Sequence, residues 1–221
     1  MWDPASGSAG RNEGLVVMGR YFYMVVQTVL RYLHQVRPDL SLDQQEKLSR
    51  QFAARYAQAC YRNGDLIENT IHEEGFDCDY ARQGWIQARD GHEQNSLSQS
   101  VKMAVEEGFT DWTQITPDEV RERTGMEVKH NAGSSVAAGT FHPAKWCWSL
   151  LNRAMESSKV ELFSRTKVLG IDDAGGHYVV RTKRGNITAR HVVLCTESYT
   201  PLLMPLFHNI IHPTQTQAAT G

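Results

Sequence analysis

The sequence lacks the features that mark several large classes of protein. Its four cysteines, at positions 60, 78, 147 and 195, form no Cys-x-x-Cys pair, which argues against a disulfide framework or a zinc knuckle. The 23 lysines and arginines are balanced by 25 acidic residues, so there is no overall positive charge to attract nucleic acid. The most apolar stretch, Leu15 to Val36, is interrupted by Arg20 and Arg31, so we expect no membrane span.

The remaining composition is that of an ordinary globular protein. The chain has 221 residues, of which 41% are hydrophobic and 22% charged, so it is long enough for one large domain or two modest ones. Its first residues, Met-Trp-Asp-Pro-Ala-Ser-Gly, lack the basic start and the apolar run of a secretory signal. Together with the scattered cysteines, this favours a reduced, cytoplasmic protein.

Apolar residues in the first half recur mainly at helical spacing. Leu15 to Val36 is apolar almost all round, which predicts one buried helix. Ser41 is a good N-cap for a second helix, and Gly75 is a good stop for it. The predicted inward face of that helix consists of Leu48, Phe52, Tyr56, Ala59, Ile67 and Ile71. Further predicted elements are a strand over 84–88, a helix over 93–107 and a short helix that begins after Thr116 and closes at Gly125.

The second half is richer in strand signals. The pattern predicts a strand over 135–141, a helix that begins at Pro143 and a short strand over 160–163. Three β segments joined by tight turns predict an antiparallel meander; they cover residues 166–171, 178–182 and 186–189. The run His191-Val192-Val193-Leu194-Cys195 is nearly all apolar, which is typical of a strand buried on both faces of a parallel sheet.

This order of elements, with these residues, resembles the latter part of the flavin domain in the D-amino-acid-oxidase-like family of FAD-dependent oxidoreductases. The matching segments are Phe141-His142-Pro143-Ala144-Lys145, Thr166 to Ile171, and His191 to Thr196. The family includes glycine and sarcosine oxidases and glutamylputrescine-oxidase-like enzymes. The resemblance implies a mixed α/β (α+β) fold: part of a Rossmann-like FAD/NAD(P)-binding domain with a β-meander crossover, plus part of a substrate-binding domain. The implied boundaries are 1–14 and 139–200 for the FAD-binding part, and 15–138 and 201–221 for the substrate-binding part.

The N-terminal loop carries a second resemblance. Gly7-Ser8-Ala9-Gly10-Arg11-Asn12-Glu13-Gly14 is similar to the Gly-rich loop of the glutamylputrescine-oxidase-like branch, which lines the pyrophosphate and the isoalloxazine. Glycines let a backbone come close to a ligand and present N–H groups to an anion. Ala9 and Glu13 stand where the family often has Ser and Gly. Taken alone, the loop is more typical of a flexible chain start, and it is the meander downstream in the expected order that favours a flavin loop.

The resemblance implies FAD as cofactor and oxidation of an amine or amino acid by hydride transfer to the flavin. The implied cofactor-binding residues are Gly10, Arg11, Asn12, Glu13, Gly14, Lys167, Val168, Cys195 and Thr196. Arg11, Asn12 and Arg20 are the polar groups placed nearest the flavin, and Arg11 could pair with a substrate carboxylate. No catalytic base and no metal site can be assigned, and nucleic acid and membrane are not expected partners.

One element of the family pattern is missing from the sequence. No Gly-x-Gly-x-x-Gly occurs between a strand and a helix, where it would bind the pyrophosphate. We therefore expect an incomplete chain, cut at both ends, of such an oxidoreductase. The alternative from a different class is a non-catalytic remnant or interaction module that binds no FAD. In either case, a strand at 192–195 without neighbours would leave an apolar sheet edge open to self-association.

Overall fold

The computed structural model describes residues 3–19, 21–89 and 92–213, and the side chains of 92–94 are excluded from the description. The chain divides into two compact units. The first contains Met1–Glu13 and Cys147–Gly221, and the second contains Gly14–Trp146. The fold is mixed α/β with antiparallel sheets, as the sequence predicts.

Four helices form much of the second unit. They are α1 (Phe22–Val36), α2 (Leu42–Glu74), α3 (His92–Glu106) and α4 (Pro117–Thr124). The predicted ends of α2 are confirmed. The Ser41 hydroxyl accepts a hydrogen bond from the Gln44 N–H in a capping box, and Gly75 ends the helix in the left-handed conformation. The predicted single helix over 15–36 is wrong at its start, because Leu15 and Val16 form a short strand instead.

The buried face of α2 differs from the predicted one. Its buried residues are mostly small or polar: Gln45, Ser49, Ala53, Ala57, Gly64 and Ile71. Of the predicted face only Ile71 is buried, whereas Leu48, Phe52 and Tyr56 are exposed by 42–53%. Small side chains let α1 pack closely, and Ala53 and Ala57 share a core cluster with Phe22, Val26 and Ala104. The face of α2 that is buried is therefore the one with small side chains, which fits closely against α1. The face with the larger apolar area is the exposed one.

Two antiparallel sheets complete the second unit. Strand β1 (Leu15–Val16) pairs with β5 (Gly139–Thr140), and a three-stranded sheet has the order β2 (Trp85–Gln87), β4 (Ala132–Ser135), β3 (Trp112–Ile115). The predicted β2 is confirmed, and β3 was not foreseen. The predicted continuous strand over 135–141 is wrong: Val136 is 75% exposed between β4 and β5.

A carboxylate causes that interruption. Asp111 accepts hydrogen bonds from the main-chain N–H groups of Val136 and Ala137, at 3.0 and 2.8 Å, and from the Ser135 hydroxyl. It also accepts a hydrogen bond from the Tyr61 hydroxyl at 3.3 Å. Because these N–H groups bind a side chain, they are lost to the β-ladder and the strand breaks. Burial beside Asp111 raises the pKa of Tyr61.

Helix α5 (Pro143–Glu156) runs across the division between the units. The first unit also contains the antiparallel meander β6 (Val168–Asp173), β7 (Tyr178–Thr182) and β8 (Gly185–Ala189), which confirms the prediction. Short 3-10 helices cover Ser8–Gly10, Glu197–Leu202 and Pro205–Phe207. No helix in the described part of the chain combines the length and apolarity that crossing a membrane requires.

Two strands predicted for the first unit are wrong. Residues 160–163 and 191–195 form no β-ladder, and Val193 is 82% exposed. A buried parallel strand requires hydrogen-bonded neighbours, and within residues 3–19, 21–89 and 92–213 no strand pairs in parallel. The apolar residues at 191–195 favour an extended strand, but a strand also needs a neighbouring strand to pair with, and the described residues provide none.

Candidate functional site

The Gly-rich loop has a defined shape that its own hydrogen bonds hold. The N–H of Gly10 donates to the Gly7 carbonyl and that of Arg11 to the Ser8 carbonyl, both at 3.1 Å. The Asn12 side-chain amide donates to the carbonyls of Ser8 and Ala9, each at 3.0 Å. A Cβ on Gly10 would overlap the Ala5 carbonyl oxygen, so the fold requires glycine there. The loop is therefore an ordered element.

Two side-chain contacts connect the segment Asp3–Asn12, which contains most of this loop, to later segments of the first unit. The Arg165 guanidinium binds both carboxylate oxygens of Asp3, at 3.2 and 3.3 Å, which raises the pKa of Arg165. The Ser8 hydroxyl donates to the Glu197 carboxylate at 2.7 Å. Arg165 lies two residues before Lys167, and Glu197 directly follows Thr196. The segment is thereby connected to the neighbours of two predicted cofactor-binding residues, Lys167 and Thr196.

Helix α5 contributes two further contacts to the loop. The Cys147 thiol lies 3.5 Å from the Ala9 carbonyl oxygen, and burial raises its pKa, so the thiolate is disfavoured. The indole N–H of Trp148 donates to the Pro4 carbonyl at 3.2 Å. Neither residue was predicted to belong to the site.

Gly14, at the end of the Gly-rich loop, belongs to the second unit. Its carbonyl accepts a hydrogen bond from the Phe141 N–H at 2.9 Å, next to the β1–β5 pair. It has a φ of 66°, and a Cβ there would overlap the Phe141 carbonyl oxygen. Gly14 and the predicted Phe141-His142-Pro143 entry to α5 therefore lie together.

His142 braces the entry to α5. Its ring Nδ1 lies 3.4 Å from the Lys145 N–H in the first turn of α5, and its own N–H donates to the Cys78 carbonyl at 2.7 Å. The half-buried Trp146 packs against Phe76 and Phe141. These contacts fix the entry to α5 within the second unit.

The predicted residues of the meander lie at its start. Val168 is the first residue of β6 and pairs with Thr182, next to a register shift before Gly170. Lys167 precedes it and is exposed, with no ion pair among the described residues. Arg184 donates to the Thr166 hydroxyl at 2.9 Å, which orders the approach to Val168.

Cys195 and Thr196 lie in irregular backbone that leads into a 3-10 helix. Cys195 is an exposed free thiol, contrary to the expectation of a buried strand cysteine. The Thr196 and Thr200 hydroxyls lie 2.9 Å apart. Glu197 follows with a φ of 45°, a conformation that favours glycine.

The structure brings together some of the predicted site and not all of it. Thr196 and Lys167 lie close in sequence to Glu197 and Arg165, which bind the segment Asp3–Asn12. In the described part of the chain, no hydrogen bond or ion pair joins Gly10, Arg11 or Glu13 to Val168 or Cys195. Sequence reasoning missed Asp3, Arg165 and Glu197. Charged residues of this kind carry no pattern in a single sequence, so only the fold shows their pairing.

The donors that this loop presents fit the polar part of FAD. Arg11 is exposed and forms no ion pair with the described residues, and the main-chain N–H groups of Ala9 and Glu13 make no hydrogen bond to them. N–H groups and a guanidinium suit phosphate and carbonyl oxygens. Two carboxylates lie near these donors: that of Glu13, and that of Glu197, which accepts the hydrogen bond of the Ser8 hydroxyl. The ribose and the first phosphate contacts of a dinucleotide site have no counterpart in this sequence.

The fold that contains the loop and the meander is mixed α/β with antiparallel sheets. A family model for FAD-dependent oxidoreductases, named DAO, matches residues 2–220. The chain therefore belongs to the DAO family of FAD-dependent oxidoreductases, and FAD is the cofactor of that family. This confirms the resemblance stated from the sequence. Among curated proteins, no match was found.

Solved structures with a similar fold include several amino-acid-oxidising enzymes. Glycine oxidase from Geobacillus kaustophilus is 17% identical with a TM-score of 0.59, over 90% of this chain and 48% of its own. Glycine oxidase from Bacillus cereus is 17% identical with a TM-score of 0.60, over 94% and 50%. L-amino acid deaminase from Proteus myxofaciens is 20% identical with a TM-score of 0.60, over 90% and 39%.

The chain thus spans half or less of the length of these structures. At such identities the likeness establishes the fold alone. Nothing in the comparisons favours the alternative of a non-catalytic module.

Proposed function

We propose that this chain forms part of an enzyme that oxidises an amine or amino acid at the C–H bond next to nitrogen, with FAD as electron acceptor. Membership of the DAO family supports the reaction class. The observation that carries the proposal is the ordered Gly-rich loop, which reaches the two segments that the resemblance assigns to the cofactor. The solved structures of similar fold include glycine oxidases and an L-amino acid deaminase.

The residues of this chain would bind and orient the reacting groups. The main-chain N–H groups of the loop face oxygen acceptors of the cofactor, and the Arg11 guanidinium binds an anionic group, either a phosphate or a substrate carboxylate. Val168 and Lys167 would hold the adenine part of FAD, and Cys195 and Thr196 would hold its flavin part. FAD, when bound, supplies the two-electron chemistry.

We further propose the domain division 1–14 with 139–200 for FAD, and 15–138 with 201–221 for the substrate.

The four free cysteines support a reduced, cytoplasmic location. Exposed apolar side chains in the first unit, including Leu162, Phe163 and Val193, support self-association through an apolar surface, because the sheet edge predicted at 192–195 is not formed. Light scattering after size exclusion tests this: we expect oligomers, which Val193→Lys should reduce. A monodisperse monomer at all concentrations contradicts it.

FAD titration of the purified chain, followed by the quenching of flavin fluorescence, tests the proposed cofactor. We expect saturable binding that Arg11→Ala weakens by about tenfold, because a charge-assisted hydrogen bond contributes about 1.5–3 kcal/mol. Arg190→Ala is the matched control, since Arg190 is exposed and outside the predicted site. Absence of any binding would show that this polypeptide alone is not a flavoprotein.

The substrate class needs a separate assay. In the presence of FAD and an artificial electron acceptor, amino acids and simple amines should be oxidised with release of ammonia or a smaller amine, and 2-hydroxy acids should not. Oxidation of 2-hydroxy acids alone would contradict the proposed substrate class.

A further inference from the structure

Left-handed backbone at residues other than glycine is concentrated around the Gly-rich loop. In the described part of the chain, five such residues have a positive φ: Ala5, Asp79, Ser158, Arg165 and Glu197. Ala5 lies in the segment Asp3–Asn12, and Arg165 and Glu197 are two of the residues whose side chains bind that segment. Such a conformation is unfavourable for a residue with a Cβ, and it persists where the surroundings require it.

The two holding contacts bind Asp3 and Ser8, which lie five positions apart in one short segment. Arg165 binds Asp3 through two parallel N–H···O hydrogen bonds, and Glu197 accepts a hydrogen bond from Ser8. Within the same segment, the Ser6 N–H and hydroxyl both donate to the Asp3 carbonyl, and the Gly10 N–H donates to the Gly7 carbonyl. The segment from Asp3 to Asn12 is therefore fastened before any ligand arrives.

The unusual φ angles explain how the two side chains reach the segment. A left-handed residue turns its side chain away from the direction that an extended or helical backbone would give it. At Glu197, glycine would relieve the backbone but remove the carboxylate that accepts the Ser8 hydroxyl. At Arg165, glycine would likewise remove the guanidinium. Each position therefore keeps a long charged side chain in a conformation that suits glycine.

We propose that Arg165 and Glu197 are positioning residues that hold the loop Asp3–Asn12 in the shape that receives the polar part of the flavin cofactor. The identity of the ligand rests on the proposed function, whereas the holding of the loop does not. A preformed loop binds its ligand with a smaller loss of conformational entropy. Loss of either contact should loosen the loop and weaken cofactor binding without unfolding the protein.

Hydrogen–deuterium exchange of the Gly10 and Arg11 amides tests the holding contacts directly. Arg165→Gly and Glu197→Gly should each speed this exchange by about fivefold, as expected for one lost hydrogen bond. Ser158→Gly is the matched control, because it relieves the same φ strain in the same unit and its side chain makes no contact with the loop. Exchange in α2 should stay unchanged in all three variants. Unchanged exchange at Gly10 and Arg11 in both test variants would overturn the proposal.

Conservative variants separate positioning from general structure. Ser8→Thr and Glu197→Gln keep a hydroxyl donor and an oxygen acceptor, so we expect loop exchange within twofold of the wild type. Ser8→Ala should match Glu197→Gly, and the double variant should be no worse than either single variant, because both remove one contact. Additive effects in the double variant would contradict a shared contact.

FAD titration of the same variants tests the link to the cofactor. Glu197→Gly and Arg165→Gly should weaken FAD binding by about fivefold, while Ser158→Gly leaves it unchanged. If exchange rises but FAD affinity stays at the wild-type value, the role toward the flavin is refuted. If the wild type itself binds no FAD, the proposed function fails for this polypeptide, and the exchange experiment still decides whether the two residues hold the loop.

Discussion

At the scale of single residues, two glycines with nearly the same φ have very different surroundings. Gly14 and Gly75 have φ values of 66° and 65°, but only Gly14 faces another backbone, the Phe141 carbonyl. Gly75→Ala should cost about 1 kcal/mol of unfolding free energy, because only the left-handed conformation is disfavoured. Gly14→Ala should cost at least about 3 kcal/mol, since the overlap adds to that penalty. Urea unfolding measures both, and equal effects would contradict the close approach.

Single residues also show where sequence reasoning stops. The Gly-rich pattern at 7–14 and the His142-Pro143 pair were recognisable because each constrains the local backbone. The contacts of Glu197 with Ser8 and of Arg165 with Asp3 join residues more than 160 positions apart, so no local rule reveals them. The Gly-rich loop could be proposed as a candidate site from the sequence, but the residues that hold it could not.

At the scale of elements, helix α4 shows a cap that depends on pH. The Glu119 carboxylate accepts hydrogen bonds from the Thr116 N–H and hydroxyl, which lower the pKa of Glu119. A carboxyl group with a lowered pKa in the folded state stabilises at neutral pH, and this contribution is lost as the pH falls through that pKa. Glu119→Gln should therefore be less stable than the wild type at pH 7, by a difference that narrows towards pH 3 as the pH falls through the lowered pKa.

The control for this pH effect is Glu122→Gln, a change at an exposed residue of the same helix. Unfolding free energies at pH 7 and pH 3 should show no comparable difference for that variant. A constant gap between Glu119→Gln and the wild type at both pH values would refute the role of the carboxylate charge.

Helix α2 gives a second prediction at the element scale, because its buried stripe is made of small residues. Ala57 is 1% exposed against α1, whereas Ala59 is exposed. Ala57→Leu should destabilise the protein by about 1–3 kcal/mol, because extra methyl groups have no space in a packed interface. Ala59→Leu should change stability by less than about 0.5 kcal/mol. Thermal or urea unfolding compares the pair, and a reversed order would contradict the observed face.

At the scale of the whole molecule, burial is distributed unequally between the two units. Among the described residues, every fully buried Ala, Val, Leu, Ile, Met, Phe, Trp or Cys lies between Val16 and Ala144. In the first unit the buried residues are Thr200 and Pro201. Amides of β6–β8 should therefore exchange with solvent faster than those of α2 and β4, since local stability follows buried apolar contact. Equal protection in both units would contradict this.

The interaction that forms each element explains how far the sequence could predict the fold. Capped helices and the meander were predicted because caps and tight turns act locally, as at Ser41, Thr116 and Gly75. The predicted strands at 160–163 and 191–195 failed because a strand needs a neighbour, which the described residues do not provide. The face of α2 was misjudged because helix packing rewards close fit, which a hydrophobic pattern does not measure.

The pairing of β1 with β5 brings the two ends of the second unit close together, so that this unit can be excised as one piece. Gly14, where the second unit begins, is hydrogen-bonded to Phe141, five residues before that unit ends at Trp146. The second unit is thus inserted into the first with its two ends close together, an arrangement that tolerates excision and transplantation. We expect a polypeptide of residues 14–146 to fold cooperatively alone, and to be accepted as an insert in a surface loop of an unrelated host.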